Sequence, residues 1–349
     1  MVETLPGEFS VSGDNGGVKR VALVLGSGGA RGYAHIGALQ VLRERGYEVT
    51  AISGTSMGAL VAGLYDTNTL DAYTDWVTTL SAKDVRKLLD PVLPGPGLLK
   101  LERVLGRVDE LLDGALIEDL PIPYTAVATD IGARREVWFT RGPLEAAIRA
   151  SVGIPGLVTP IMVNGRLLVD GGVLNPVPME PVIAADADFT MAISLSGPKK
   201  QSEVLTPARE SAEQRPSSEW WDRFLRTAAG VWENEFVASM MTRFNRGEGT
   251  EAQTSTYQEP PSGLGIADVT TMSLDTMSAL ITRFRLAALP PDVLVTVPGD
   301  AAKVMDFHRA EELIALGRRL TEEALDAAFG DEGTVPGLTP AIEPAIFTE

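Results

Sequence analysis

The stretch that most constrains this chain is Gly-Thr-Ser-Met-Gly at residues 54–58. It follows a short apolar run, residues 49–53, that is typical of a buried strand, and it leads into residues 59–64, which are typical of a helix. A serine between a strand and a helix takes strained backbone angles, and flanking glycines keep Cβ atoms away from the crowded corner. This context predicts that Ser56 is a nucleophile. An ordinary glycine-rich turn is the alternative.

The composition limits the classes of protein to which this chain can belong. The chain has 349 residues, of which 44% are hydrophobic and 22% are charged, which suits a globular protein with a substantial core. The net charge of −17 argues against general nucleic-acid binding, because a phosphate backbone would be repelled. The absence of cysteine excludes disulfides and thiolate metal sites. We find neither a signal-peptide pattern nor an apolar run of the ~18–20 residues that cross a bilayer, and therefore expect a cytoplasmic protein.

Strand-like and helix-like segments alternate along residues 18–329, which predicts one α/β domain with a mainly parallel sheet. Residues 71–113 are mostly helical and broken by prolines and glycines, so we interpret them as a helical cap insertion. We expect residues 1–17 to be a flexible leader and residues 330–349 to be a disordered tail. Residues 197–265 are interpreted as a second insertion.

Two further segments have specific local signals. Asn-Gly at residues 164–165 separates two strand-like runs, residues 158–163 and 166–169, and predicts a tight hairpin. Aromatic and apolar residues recur at helical spacing between residues 220 and 244, which predicts a long amphipathic helix.

A glycine-rich loop, Gly-Ser-Gly-Gly-Ala-Arg-Gly, occupies residues 26–32 between a predicted strand at residues 18–25 and a predicted helix at residues 33–45. Backbone N–H groups before a helix can converge on an anion, which beside a nucleophilic serine would be the oxygen of a tetrahedral intermediate. Arg31 either stiffens this loop or attracts a phosphate. A dinucleotide-binding loop is the competing interpretation, but Arg31 occupies the position of its third glycine.

An activated serine needs a base. His35 and His308 both lie in predicted helices rather than in a loop after a late strand, so we interpret them as structural or surface residues. Asp170 is the better candidate, because the two glycines at residues 171–172 let its carboxylate lie against another backbone. A partly buried carboxylate whose pKa rises towards neutrality can accept a serine proton. The alternative is that Asp-Gly-Gly is merely a turn.

These motifs together resemble the patatin-like phospholipase family, and in particular its bacterial members similar to neuropathy target esterase. The glycine loop, the serine motif and the Asp-Gly-Gly turn follow one another in the family's order and approximate spacing. The Ala-Ser-Val-Gly-Ile-Pro block at residues 150–155 and Asn-Pro at residues 175–176 also fit. The resemblance covers roughly residues 18–195, and the segment at residues 307–317 is similar to that of bacterial members. Ser27, where many members have glycine, departs from the pattern.

The resemblance implies a three-layer α/β/α fold and a lipid acyl hydrolase with a Ser-Asp dyad, in which Ser56 is the nucleophile and Asp170 is the base. The oxyanion hole would consist of the amides of Gly28, Gly29, Ala30 and Arg31. The supporting glycines would be Gly26, Gly32, Gly54, Gly58, Gly171 and Gly172. Neither a metal nor a cofactor is implied. The alternative function is a regulatory or interaction protein that uses the same scaffold with little turnover.

The implied substrate is a lipid or another acyl ester: a phospholipid, a lysophospholipid or an acylglycerol. Residues 83–107 combine basic side chains with leucines, which is typical either of a surface-seeking cap or of a helical cap folded on its own core. The sequence leaves open a peripheral contact with a membrane and the formation of a homo-oligomer. We expect no nucleic-acid partner.

Overall fold

The computed structural model describes residues 18–89, 99–198 and 266–330. Within these ranges one sheet contains the strands β1 (Arg20–Leu25), β2 (Glu48–Thr55), β3 (Tyr124–Asp130), β4 (Arg135–Phe139), β5 (Ile161–Val163), β6 (Arg166–Asp170), β7 (Phe189–Gly197) and β8 (Val293–Pro298). The helices are α1 (Tyr33–Glu44), α2 (Met57–Asp66), α3 (Leu70–Thr78), α4 (Ala82–Leu88), α5 (Glu102–Leu112), α6 (Leu144–Ser151), α7 (Ile266–Ala288) and α8 (Ala310–Phe329). The expected leader, the tail beyond residue 330 and the predicted helix at residues 220–244 lie outside the described residues.

The sheet is parallel at its centre and antiparallel at one side. Its strand order is β5-β6-β3-β2-β1-β7-β8, and β4 also pairs with β3. The pairs β1/β2, β1/β7, β2/β3 and β7/β8 are parallel, whereas β3/β4, β3/β6 and β5/β6 are antiparallel. The predicted α/β class with a mainly parallel sheet is therefore confirmed. Parallel strands end at a common edge, where ligands bind in open α/β sheets.

Helices cover both faces of the sheet, because the central strands are apolar on both faces. In β1, the side chains of Val21, Leu23 and Leu25 belong to the larger core, which includes residues of α1, α2 and α8. Ala22 and Val24 point to the opposite face, where a smaller core packs against the end of α7. A strand buried on both faces reads as a continuous apolar run, which is the pattern of this segment.

The predicted hairpin is present. β5 and β6 pair antiparallel with Val163 opposite Arg166. Asn164 has φ of 49° and Gly165 has φ of 76°. A two-residue turn of this type needs positive φ at both central residues, and Asn-Gly is the pair that accepts it most readily. The hairpin matters for the site because β6 ends at Asp170.

Helices α3, α4 and α5 occupy the segment that we interpreted as a helical cap. Its buried apolar side chains include Val85, Leu89, Leu99 and Leu105. Its exposed basic side chains include Lys83, Arg86, Lys100, Arg103 and Arg107. The main chain of Leu99 also forms a parallel bridge with Val158. This arrangement favours the interpretation in which the helices pack on the protein's own core and their charges are solvated.

Helix α8 closes the domain by lying directly against α1. A Cβ atom at Gly37 would lie 2.1 Å from the Ile314 carbonyl oxygen, and one at Gly317 would lie 2.1 Å from the Ala34 carbonyl oxygen. Glycine at both positions therefore lets the two helix backbones touch. No helix in the described part of the chain is long and apolar enough to cross a bilayer.

Candidate active site

Ser56 lies between the end of β2 and the start of α2. Its φ of 57° and ψ of −122° are strained for a residue with a side chain. The side chain is buried, and its hydroxyl donates a hydrogen bond to the Asp170 carboxylate. The two residues that we predicted as nucleophile and base are thus brought into direct contact.

The flanking glycines allow this turn to be tight. A Cβ atom at Gly54 would lie 2.5 Å from both the carbonyl carbon and the carbonyl oxygen of Gly58. A Cβ atom at Gly58 would lie 2.0 Å from the Leu25 carbonyl oxygen, at the end of β1. Side chains at these positions would push α2 away from the sheet and move Ser56 with it.

A second serine, Ser151 at the end of α6, holds the nucleophile's backbone. Its hydroxyl accepts a hydrogen bond from the Ser56 amide at 2.8 Å and donates one to the Val127 carbonyl at 2.6 Å. It is fully buried, so both bonds are shielded from water. In the sequence, Ser151 stands out only as part of the Ala-Ser-Val-Gly-Ile-Pro block at residues 150–155, which predicts no separate role for it.

Asp170 ends β6 and is fixed by its own backbone. Its amide donates to the Gly153 carbonyl at 2.9 Å, and its Oδ1 accepts from the Gly172 amide at 2.7 Å. Burial raises the pKa of the Asp170 carboxyl from 3.8 to about 6, while the hydrogen bonds from Ser56 and Gly172 oppose that rise. The carboxylate is therefore mostly ionised at neutral pH and more basic than an exposed aspartate.

The two glycines after Asp170 bring its turn against neighbouring backbone. A Cβ atom at Gly171 would lie 2.2 Å from the Val127 carbonyl oxygen. One at Gly172 would lie 2.6 Å from Ser27 Oγ and 3.0 Å from Asp170 Oδ1. The Asp-Gly-Gly turn is thus fitted between β3 and the glycine-rich loop.

The glycine-rich loop is held by hydrogen bonds from its own amides. The amide of Gly26 donates to the Ile193 carbonyl at 3.0 Å, and the amide of Ser27 donates to the Pro176 carbonyl at 2.8 Å. The amide of Ala30 donates to the Val304 carbonyl at 2.9 Å.

The Ala30 bond corrects the expected set of oxyanion donors, because an amide that already donates is not available to an oxyanion. The amide of Arg31 lies inside the 3₁₀ turn Gly29–Gly32. Among the described residues, the amides of Gly28 and Gly29 have no backbone acceptor. Gly29 has φ of +57°, a conformation that favours glycine.

Arg31 stiffens this loop. Its side chain is buried, Nη1 donates to the Gly299 carbonyl at 2.6 Å, and Nε donates to the Gly28 carbonyl at 3.2 Å. Burial lowers the pKa of the Arg31 guanidinium below its usual value. With two of its donors spent on backbone carbonyls, the structure favours stiffening over the alternative of attracting a phosphate.

Comparison with known proteins gives the family. The profile described as patatin-like phospholipase matches residues 23–183. An uncharacterized NTE family protein of Mycobacterium tuberculosis is 40% identical over 336 residues, covering 88% of this chain and 92% of the relative. A protein of the same description from Mycobacterium bovis matches with the same figures. The chain belongs to the patatin-like phospholipase family.

More distant family members share part of the chain. Patatin-like phospholipase domain-containing protein 6 of Homo sapiens is 33% identical over 192 residues, which is 53% of this chain and 14% of that protein. Among solved structures, VipD from Legionella pneumophila covers 89% of this chain and 67% of its own, with 14% identity and a TM-score of 0.40, too low to bear on the fold. Family membership supports a lipid hydrolase in general.

Neither histidine of this patatin-like chain is placed as a partner of Ser56. His35 is fully buried, and its Nε2 donates to the Gly26 carbonyl at 2.8 Å. Burial lowers the pKa of the His35 imidazole to about 4, so the ring is neutral at pH 7 and supports the glycine-rich loop. His308 is exposed in the 3₁₀ turn Phe307–Arg309.

A cavity of about 810 Å³ lies at the opposite end of the sheet from this patatin-like site. It is lined by residues at the start of β2, at the end of α2 and before β3, and by neither Ser56 nor Asp170. The geometry of the dyad identifies the site better than the size of this cavity does. Among the residues that the structure describes, no group of three or more Asp, Glu or His side chains is placed to hold a metal ion.

Proposed function

We propose that the protein is a serine acyl hydrolase that cleaves carboxylic esters of lipids. Ser56 is the nucleophile and Asp170 is the general base. The observation that carries the proposal is the hydrogen bond between the Ser56 hydroxyl and a buried carboxylate whose pKa is about 6. A base of that pKa is ionised at neutral pH and is still able to hold a proton briefly.

In the first half of the reaction, Ser56 Oγ attacks the ester carbonyl carbon while Asp170 takes the hydroxyl proton. The carbonyl oxygen becomes negative and is stabilised by the amides of Gly28 and Gly29. When the tetrahedral intermediate collapses, the bond to the leaving alcohol breaks, and that alcohol takes the proton from Asp170. The acyl group stays on Ser56 as an ester.

In the second half, Asp170 takes a proton from a water molecule that attacks the acyl-enzyme carbonyl. The same two amides stabilise the second oxyanion. Collapse of this intermediate breaks the bond to Ser56 Oγ, which recovers its proton from Asp170, and the fatty acid leaves. No histidine is needed, because one carboxylate performs both proton transfers.

The proposed substrates are phospholipids, lysophospholipids or acylglycerols, as expected of this family. Phospholipid vesicles, lysophospholipid micelles and a soluble butyrate ester should be compared with the same purified protein. The ratio of kcat/KM among the three ranks the substrate classes. The rival function, an interaction protein with little turnover, predicts negligible release of acid from all three.

The decisive test uses the variant Ser56→Ala. An organophosphonate probe should label the wild-type protein, and peptide mass spectrometry should place the adduct on Ser56. Ser56→Ala should lose the label and reduce ester hydrolysis by roughly 10³-fold or more. The control is Ser273→Ala, which changes an exposed serine on α7. Labelling that persists in Ser56→Ala would falsify the assignment of the nucleophile.

A further inference from the structure

Arg285, near the end of α7, reaches the segment that follows the base. Its Nε donates to the Leu174 carbonyl at 3.0 Å. Its two terminal nitrogens donate to two carboxylates, Nη1 to Glu180 and Nη2 to Glu136. One guanidinium therefore joins α7, β4 and the segment after the Asp-Gly-Gly turn. A planar fork of donors is suited to several acceptors at once in a way that an ammonium group is not.

The two carboxylates in turn hold the side chain of Asn175. Its Nδ2 donates to Glu136 Oε2 at 3.0 Å and to Glu180 Oε2 at 3.1 Å. Asn175 is fully buried, so these bonds fix its position. The same oxygen, Glu136 Oε2, also accepts a hydrogen bond from Trp138 Nε1 at 2.9 Å, which helps to orient the carboxylate.

The backbone of Asn175 contacts both arms of the dyad. Its carbonyl accepts a hydrogen bond from the Thr55 hydroxyl at 2.9 Å, and Thr55 immediately precedes Ser56. Its amide donates to the Gly171 carbonyl at 2.8 Å, and Gly171 immediately follows Asp170. A shift of Asn175 would therefore change the separation between nucleophile and base.

We propose that Arg285 is a positioning residue that keeps Ser56 and Asp170 in hydrogen-bonding contact by holding Leu174 and Asn175. The role in catalysis rests on the proposed function. The side chains of Arg285, Glu136 and Glu180 are 25%, 19% and 29% exposed, so their charges are only partly screened by water. Without the guanidinium, two carboxylates share one amide group and repel each other, which pulls Asn175 out of place.

Three single variants test the role of Arg285. Arg285→Met removes the guanidinium and keeps the bulk, Arg285→Lys keeps the charge, and Arg283→Met makes the same chemical change at an exposed position two residues away on α7. Hydrogen exchange of the amides in residues 171–175 reports whether the segment is held, without relying on activity. We expect exchange there to be about 10-fold faster in Arg285→Met, intermediate in Arg285→Lys and unchanged in Arg283→Met.

Kinetics on a soluble ester then separate positioning from general destabilisation. Arg285→Met should lower kcat by roughly 10- to 100-fold with little change in KM, because a misplacement of about 1 Å in a reacting group has that effect. The acid limb of its pH profile should move to higher pH, because the hydrogen bonds from Ser56 and Gly172 that lower the pKa of Asp170 become weaker. Loss of stability alone would leave that limb in place.

Hydrogen exchange and ester kinetics test different parts of the proposal. If the amides of residues 171–175 exchange at the wild-type rate in Arg285→Met, the proposal is overturned. Faster exchange with unchanged kcat and an unchanged pH profile overturns it as well. If the wild-type protein hydrolyses no ester, the proposed function fails, and the exchange experiment still decides whether Arg285 holds the segment. If Arg285→Met does not fold, hydrogen exchange and kinetics are measured on Arg285→Lys and Glu180→Gln instead. We then expect the same changes in exchange, kcat and pH profile, but smaller ones.

Discussion

Replacing the proposed base with its amide should make the protein more stable and less active. Asp170→Asn keeps a side-chain oxygen that can accept the Gly172 amide, which lies 2.7 Å from Oδ1, but it removes the buried negative charge. Burial raises the pKa of the Asp170 carboxyl from 3.8 to about 6. A raised pKa means that the fold prefers the protonated acid. The stabilisation that protonated Asp170 provides is complete below pH 3.8 and is lost as the pH rises through 6.

The magnitude follows from the same pKa. A difference of one pH unit in a pKa corresponds to about 1.4 kcal/mol, so ionised Asp170 lowers the free energy of unfolding by roughly 3 kcal/mol at pH 7. At pH 4.5 the same relation gives only about 1 kcal/mol, because the folded protein keeps the carboxyl protonated. Asp170→Asn should therefore gain up to about 3 kcal/mol at pH 7, or roughly 5–10 °C in Tm, and much less at pH 4.5.

Urea denaturation at both pH values measures the gain, and hydrolysis of a soluble ester measures the loss. We expect hydrolysis by Asp170→Asn to fall by roughly 10²- to 10⁴-fold, the range for removal of a general base. Asp119→Asn, at an exposed aspartate, should change stability by no more than about 0.5 kcal/mol. The argument from burial is refuted if Asp170→Asn and the wild type have the same free energy of unfolding at pH 7. It is also refuted if the variant gains the same free energy of unfolding at pH 7 and at pH 4.5.

Three further outcomes follow from the structure. The kcat/KM of the wild type on a soluble ester should have an acid limb with a midpoint near pH 6 and should fall about tenfold per pH unit below that midpoint. A midpoint near pH 4 would contradict the burial of Asp170. Gly58→Ala should prevent correct folding, because its Cβ would lie 2.0 Å from the Leu25 carbonyl oxygen, and urea denaturation should show no cooperative transition. Gly106→Ala, inside α5 with nothing within 4 Å of its Cβ, should instead raise the free energy of unfolding by about 0.5–1 kcal/mol in the same denaturation experiment. Leu99→Ala should lower the free energy of unfolding by about 2–5 kcal/mol in urea, because the side chain is fully buried, and hydrolysis of a butyrate ester per folded molecule should stay at the wild-type rate. A rate that falls in parallel with stability would place Leu99 in the site.

Local sequence was enough to find the elements of the site. The strand, turn and helix around Ser56 follow from an apolar run, two glycines and a helical run, all within residues 49–64. The hairpin before Asp170 follows from Asn-Gly, because few other residues accept positive φ twice in succession. The fold class follows for a similar reason, since parallel strands joined by helices have a recognisable alternation.

The contacts between distant residues depended on the tertiary structure. Ser151 and Ser56 are 95 positions apart, and Arg285 and Glu136 are 149 positions apart, so no local pattern relates them. The engagement of the Ala30 amide by Val304, which reduces the expected oxyanion donors, was likewise invisible in the glycine-rich sequence.

The sequence by itself determined which side chains are able to do chemistry and which turns present them, because residue type and backbone preference act over a few positions. Only the tertiary structure decided how deeply Asp170 is buried beside the serine and which amides of the glycine-rich loop stay available. Burial and hydrogen-bond partners set the pKa of Asp170, and both arise from packing between segments far apart in the chain.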